Sequence, residues 1–256
     1  PTGKLMSAFT VIIPARYGST RLPGKALLPL AGRPVIERVW NAAVESGAAR
    51  VIVATDHVDI RDCAEAFGAE VCMTASSHQS GTERIVEVVS AAGFSDDAII
   101  VNLQGDEPLM PATLLEQVAE TLSNVPDAAM ATLATPLMDA DELNDPHAVK
   151  VVVTHDGRAL YFSRAPIPWD RTGRSAAQMS LARRHLGLYA YRAGFLKRYP
   201  RLPHSPLEQL EQLEQLRVLQ AGEKIQVAEV VERPGQGIDT DRDLAAAEAE
   251  LIRRAR

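Results

Sequence analysis

The chain has 256 residues, 46% of them hydrophobic and 23% charged, which is enough for one large α/β domain or a domain with a smaller lobe. A net charge of −6 with no basic run argues against nucleic acid as a partner, and no apolar run approaches a membrane span. The two cysteines, Cys63 and Cys72, and the six scattered histidines show no metal-ligand spacing; this argues against a zinc enzyme and leads us to expect a reducing, cytoplasmic setting.

The first residues lack the charged-then-apolar order of a signal peptide, so residues 1–8 are expected to be a flexible tail before a single domain over 9–256. Phe9 to Pro14 reads FTVIIP, a short apolar run expected as a central strand. It leads into the loop Ala15 to Lys25, which carries three cations, Arg16, Arg21 and Lys25. Backbone N–H groups and a mobile lysine can surround a polyphosphate there. Five residues separate Gly18 from Gly24, and Ala26 follows Lys25, so the loop is neither a P-loop nor a dinucleotide fingerprint. A plain basic surface loop is the alternative.

A helix is expected from Pro34 to Ser46, ended by Gly47, then a strand from Arg50 to Ala54. A second helix, capped by Asp59, runs to Phe67 and stops at Gly68, before a short strand from Glu70 to Met73. This alternation points to a parallel sheet with right-handed crossovers. Ser80 or Thr82 can cap the next helix, Arg84 to Ala92, whose N-terminus favours anions. After the turn Ser95-Asp96-Asp97, the run Ala98 to Val101 reads as a strand buried on both faces. It ends in Gln104-Gly105-Asp106-Glu107-Pro108. An acid at the carboxyl end of a buried strand, beside a glycine that permits close backbone approach, is how open α/β sheets present a metal or ligand site. A strand-ending turn with solvated acids is the plain alternative. Pro111 to Leu122 is the helix that follows.

From Ala128 the pattern changes. Ala129 to Pro136, Ala148 to Thr154 and Arg158 to Arg164 are strand-like, the last two forming a hairpin, so a smaller lobe is expected over roughly 129–200. Asp170 to Gln178 is expected to be a loop. His185 to Tyr191 reads as a strand whose period of two places His185, Gly187, Tyr189 and Tyr191 on one face. Ser205-Pro206-Leu207-Glu208 is a capping-box helix start. Leucine then recurs at every third position from Leu207 to Leu219, predicting one helix buried over a wide face, with a dimer seam as the alternative. Gly222 ends it, and Ile225 to Val231 is a last strand. Gly235-Gln236-Gly237-Ile238-Asp239-Thr240 sets a second acid after a glycine turn, before a terminal helix from Asp241 to Arg254.

The basic loop, Asp106 and Asp239 each follow a strand and can meet at one edge of a sheet. Cations and N–H groups suit a triphosphate, and two aspartates from separate loops suit Mg²⁺, which prefers hard oxygen ligands and keeps several waters. The trio points to metal-assisted phosphoryl or nucleotidyl transfer. Gly-x-Ser-x-Gly is absent, which leaves an α/β-hydrolase without support.

The segments IIPARYGSTRLPGK, VATDH, CMTASSHQSGTER, VNLQGDEP, YFSRAPIPWDR, RHLGLYAYR, SPLEQLEQLEQLR and GIDT closely resemble the 3-deoxy-manno-octulosonate cytidylyltransferase (CMP-KDO synthetase) family. The sialic-acid cytidylyltransferases are more distant. The resemblance runs from about Phe9 to the C-terminus. It implies a three-layer, Rossmann-like nucleotidyltransferase fold with a mostly parallel sheet and a smaller lobe for sugar and dimer contacts. It also implies transfer of CMP from CTP to the sugar acid KDO for lipopolysaccharide synthesis, by a cytoplasmic, Mg²⁺-dependent homodimer. On this resemblance Arg16 and Lys25 hold the triphosphate, and Ser19, Thr20 and Arg21 shape the loop. Arg84 and Gln104 lie along the cytidine and the sugar side, and Asp106 and Asp239 hold the metal. Arg164, His185, Tyr189, Glu214 and Gln215 line the sugar pocket. The loop from Asp170 to Arg184 looks shorter than in some relatives, and Gly18 makes the basic loop more flexible.

Overall fold

The computed structural model describes residues 8–18, 22–173 and 175–254. Its strands in chain order are β1 (Phe9–Ala15), β2 (Pro29–Leu30), β3 (Arg33–Pro34), β4 (Arg50–Thr55), β5 (Glu70–Met73), β6 (Ile99–Asn102), β7 (Met130–Pro136), β8 (Lys150–Val153), β9 (Ala159–Ser163), β10 (Arg183–Arg192) and β11 (Ile225–Glu229). Its α-helices are α1 (Val35–Glu45), α2 (Val58–Ala66), α3 (Gly81–Ala92), α4 (Ala112–Ser123), α5 (Ala140–Asn144), α6 (Ser175–Leu181), α7 (Ala193–Arg198), α8 (Pro206–Glu211), α9 (Gln215–Gln220) and α10 (Asp241–Arg254).

Every residue of β1 is buried, as its unbroken apolar run requires. Val11 and Ile13 pack with Val39, Ile60 and Leu114 on one side of the sheet; Ile12 packs with Ile85, Val88 and Leu196 on the other. The result is three layers, with helices on both faces. The main sheet has the order β11-β7-β10-β6-β1-β4-β5. Along this path β10 alone runs against its neighbours, while the β1–β4, β1–β6, β4–β5 and β11–β7 pairs are parallel. After β1 the chain builds outward through β4 and β5, then returns to place β6 on β1's other side. The carboxyl ends of β1 and β6 therefore flank a topological switch point, where ligands bind in such sheets. The β8–β9 hairpin joins the same sheet through β8 and β10.

The structure corrects several local expectations. His57, not Asp59, caps α2: its Nδ1 accepts from the Asp59 N–H at 3.2 Å. Ser80 caps α3, accepting from the Glu83 N–H. Part of the expected 170–178 loop is helical, since α6 begins at Ser175. The leucine repeat does not make one helix. The chain breaks between α8 and α9, with Gln212 left-handed at φ 54°, which turns Leu210 out to 82% exposure while Leu216 is fully buried. A stripe recurring every third residue drifts round a helix, and one face of the sheet cannot cover all of it.

Candidate active site

The loop after β1 and the loop after β6 are held together by close backbone approach. The Gly105 N–H donates to the Pro14 carbonyl at 3.2 Å, and an added Cβ at Gly105 would lie 3.0 Å from that oxygen. The glycine turn carrying Asp239 docks on the same segment: the Ile238 N–H donates to the Asp106 carbonyl at 2.8 Å. A Cβ at Gly237 would fall 2.6 Å from a Glu107 carboxylate oxygen, so any larger residue there would have to push the Glu107 side chain aside. These backbone contacts bring together Asp106 and Asp239, 133 positions apart in the chain.

Lys25 bridges the two acids. Its Nζ donates to Asp106 Oδ2, to the Ile238 carbonyl at 3.1 Å and to Asp239 Oδ1 at 3.4 Å. The side chains of Lys25, Asp106 and Asp239 are 16%, 29% and 50% exposed, so the cluster remains open to exchange with a ligand. Behind it, burial first, and then the nearby Asp106 and Asp239 charges, push the Glu107 carboxyl up to about 8.

Arg16, Lys25, Arg84, Gln104, Asp106, Asp239 and Glu214 all line one cavity of about 290 Å³. Its far wall comes from residues His78 to Gly81, at the N-terminus of α3. Arg84, 3% exposed, pairs with Asp56 at 3.0 Å and also donates to Thr74 Oγ1. Asp56 in turn accepts from the Tyr17 N–H, and the Tyr17 ring stacks on His57 at 3.9 Å. Gln104 Nε2 donates to Asn102 Oδ1 at 3.3 Å. Glu214 accepts from the Thr82 hydroxyl at 2.7 Å, which ties α9 to the cavity through α3. Sequence reasoning missed His78, Asp56 and Thr82; the helix-start motif SGTER was the available signal for this wall. Ser19, Thr20 and Arg21 lie outside the described residues.

The other expected sugar contacts fall elsewhere. Arg164 does not line this cavity. It donates to the carbonyls of Glu211 at 2.7 Å, Pro146 at 2.9 Å and Gln212 at 3.4 Å, serving the backbone acceptors freed at the α8–α9 break. His185 borders a separate cleft of about 500 Å³. Tyr189 and Gln215 border a void of about 10 Å³ with Tyr191 and Tyr199, and Gln215 Nε2 is buried there without a hydrogen-bond partner among the described residues.

The alternation of β10 survives an irregularity because that irregularity is even. Leu186 opposes Leu133 and the next pair is Tyr189 with Thr132, so Gly187 and Leu188 are extra and His185 and Tyr189 keep the same face. The Thr132 hydroxyl lies 3.0 and 2.8 Å from the Leu186 and Leu188 carbonyls. Its proton goes to that pair, leaving its oxygen to accept from His185 Nε2 at 3.0 Å. Burial pushes His185 down to about 3, so its ring is neutral.

A cytidylyltransferase family model matches residues 10–225. The 3-deoxy-manno-octulosonate cytidylyltransferase of Halorhodospira halophila is 58% identical over 251 residues, which is 95% of this chain and 97% of that protein. The chain belongs to the 3-deoxy-manno-octulosonate cytidylyltransferase family. A solved CMP:2-keto-3-deoxy-manno-octonic acid synthetase complexed with CTP is 41% identical; it aligns with a TM-score of 0.89 over 97% of this chain and 100% of that one. A nucleotidyl transferase from Methanothermobacter thermautotroptrophicus shares the fold at a TM-score of 0.61, 18% identity and coverage of 96% and 99%. The family's nucleotidyltransferase fold is the one found here, and no described helix is long and apolar enough to cross a membrane.

Proposed function

We propose that this chain transfers CMP from CTP to the anomeric hydroxyl of KDO, releasing pyrophosphate, as a cytoplasmic homodimer that feeds lipopolysaccharide synthesis. The observation that carries this reading is the convergence of Arg16, Lys25, Asp106 and Asp239 on one cavity at the sheet's switch point. Its support also includes the relatives' names and the CTP complex of the 41% identical structure.

The residues fit Mg²⁺. Two carboxylates, Asp106 and Asp239, already share one ammonium and stay partly open to solvent, so both have oxygens available to a hard cation. Among the described residues no set of three His, Cys, Asp or Glu side chains is arranged to hold a metal alone. Asp106 and Asp239 would therefore hold it together with substrate and water oxygens, as Mg²⁺ coordination favours. When bound, Mg²⁺ supplies Lewis acidity that lowers the pKa of the attacking hydroxyl and offsets phosphate charge.

The chain's own residues then bind and orient. Arg16 and Lys25 take the triphosphate, Lys25 exchanging its carboxylate partners for phosphate oxygens. Gln104, at the boundary of the two aspartates and the α3 wall, orients the acceptor. The sugar hydroxyl attacks the α-phosphorus in line, the bond to the bridging oxygen breaks, and the charge developing on pyrophosphate is met by Arg16 and Lys25. No side chain acts as a covalent nucleophile.

The test is pyrophosphate release from purified protein with CTP, KDO and Mg²⁺. Steady release with KDO, and none with sialic acid or a sugar phosphate, is expected. Nucleotide binding without release, or release with another acceptor only, would overturn the reading.

A further inference from the structure

Arg16, Lys25 and Arg84 all line the cavity, so like charges are held facing one space before a ligand joins them. Lys25 is met by Asp106 and Asp239, in pairs that are partly open and part when a triphosphate arrives. Arg84 is met differently. Its partner, Asp56, stands outside the cavity lining, and the pair is buried, with side chains 3% and 15% exposed. Breaking a buried ion pair from one side leaves an uncompensated charge, so this pair is built to persist through binding.

Asp56 has a second task. While its Oδ2 accepts from Arg84 Nη2 at 3.0 Å, its Oδ1 accepts from the Tyr17 N–H at 3.3 Å. Tyr17 directly follows Arg16 at the start of the basic loop. Its carbonyl accepts from the N–H of Gly24, the residue before Lys25, at 3.1 Å, so the loop closes on itself at Tyr17 and Gly24. The Tyr17 ring stacks on His57, the neighbour of Asp56, with centroids 3.9 Å apart and planes 17° from parallel. Two consecutive residues after β4 thus hold that closure, one by its carboxylate and one by its ring. On the other side Arg84 Nη1 donates to Thr74 Oγ1, and the Thr74 hydroxyl donates to the Thr55 carbonyl at 3.1 Å. The guanidinium is therefore tied back to the end of β4 through both terminal nitrogens.

We propose that Asp56 is a positioning residue for the nucleotide: its two carboxylate oxygens set the basic loop and Arg84 in one arrangement, and His57 completes the hold on the loop through Tyr17. The cations that meet CTP are then fixed relative to one another before it binds, which lowers the cost of ordering them on binding. Asp106 and Asp239 are tied by a separate contact, the Ile238 N–H on the Asp106 carbonyl, so acceptor binding depends less on Asp56. The inference rests on the cytidylyl-transfer reading for the nucleotide's identity, and it adds a residue outside the cavity on which nucleotide binding depends.

Calorimetric titration of CTP into the wild-type protein, Asp56→Asn and His57→Ser tests this without turnover. Asparagine keeps an acceptor for the Tyr17 N–H but removes the charge that meets Arg84. Serine keeps an N-cap acceptor for α2 but removes the ring against Tyr17. CTP affinity is expected to fall about tenfold in Asp56→Asn and about threefold in His57→Ser. The KM for KDO in the pyrophosphate assay is expected to move by less than about twofold in each. Thermal melting identifies any unfolded variant, and His57→Ser, which leaves the buried ion pair intact, carries the test if Asp56→Asn does not fold. Unchanged CTP affinity in a folded variant, or an equal loss for CTP and KDO, overturns the proposal. A wild type that binds CTP but releases no pyrophosphate would instead overturn the catalytic reading, because the titration does not depend on turnover.

Discussion

Around Lys25, the polar side chains are charged, paired with one another and partly open to water. Around Tyr189 they are closed in and, Glu214 apart, uncharged: burial holds His185 neutral and, with the Glu214 charge, raises the phenols of Tyr189, Tyr191 and Tyr199. Both regions draw on β6 and its neighbours in one sheet, yet they solve opposite problems. The first keeps ions that must exchange partners when a charged ligand arrives, so it tolerates repulsion and exposure. The second supplies a fixed wall, so its polar groups pair locally or stay neutral, and its energy comes from packing.

Neutralising the first region should cost activity far more than stability. Asp106→Asn or Asp239→Asn is expected to cut turnover by roughly 10³-fold or more, about 4 kcal/mol of transition-state stabilisation, with the melting temperature little changed. Near-normal turnover of both variants at saturating Mg²⁺ would erase the distinction between the regions. Truncating the second region should do the reverse. Phe162, fully buried and set edge-on to His185 at 4.9 Å, is expected to cost about 3–4 kcal/mol in denaturant unfolding when changed to Ala.

A smaller effect should appear in pH dependence. His185 stays neutral when folded down to about 3 but takes a proton near 6.5 when unfolded. Its contribution is therefore fully present above pH 6.5 and lost as pH falls toward 3, at up to about 1.4 kcal/mol per pH unit. Comparing the wild type with His185→Gln by urea unfolding between pH 7 and 4.5 isolates it; an equal acid slope in both would show that His185 is not held neutral. The smallest effect is expected at Leu210, whose exposure contradicts a continuous buried stripe. Leu210→Lys should change stability by no more than about 0.5 kcal/mol, and a large loss on unfolding would mean that this leucine is covered in solution, as a dimer seam would require.

Much of this architecture is legible in residue order because its causes are local. Apolar runs make β1 and β6, Ser80 and Ser205 accept from N–H groups three residues on, and Gly105 is needed where two backbones meet. The acid at the end of β6 and the basic loop after β1 could be read as site material for the same reason. Three things could not be read. The break at Gln212 leaves carbonyls at positions 211 and 212 that accept from Arg164, a contact spanning some forty-seven residues of chain. That contact also explains why Arg164, a plausible carboxylate binder by type, is occupied elsewhere. Arg84's neutralisation by Asp56, and the bridging of Asp106 and Asp239 by Lys25, likewise join separate loops.

Sequence by itself thus determined the strands of the main sheet, most helix ends, the family and the kinds of side chain available for chemistry, since propensity, capping and hydrophobic period act over a few residues. Tertiary structure alone decided which charges meet. Lys25 and Asp239 are 214 positions apart, and only the Ile238 N–H bond to the Asp106 carbonyl and the space left by Gly237 beside Glu107 turn two unrelated acids into one site. Whether a given cation is free for a phosphate or already paired depends on such distances, because electrostatic energy depends on separation in space and on burial, neither of which is written in chain order.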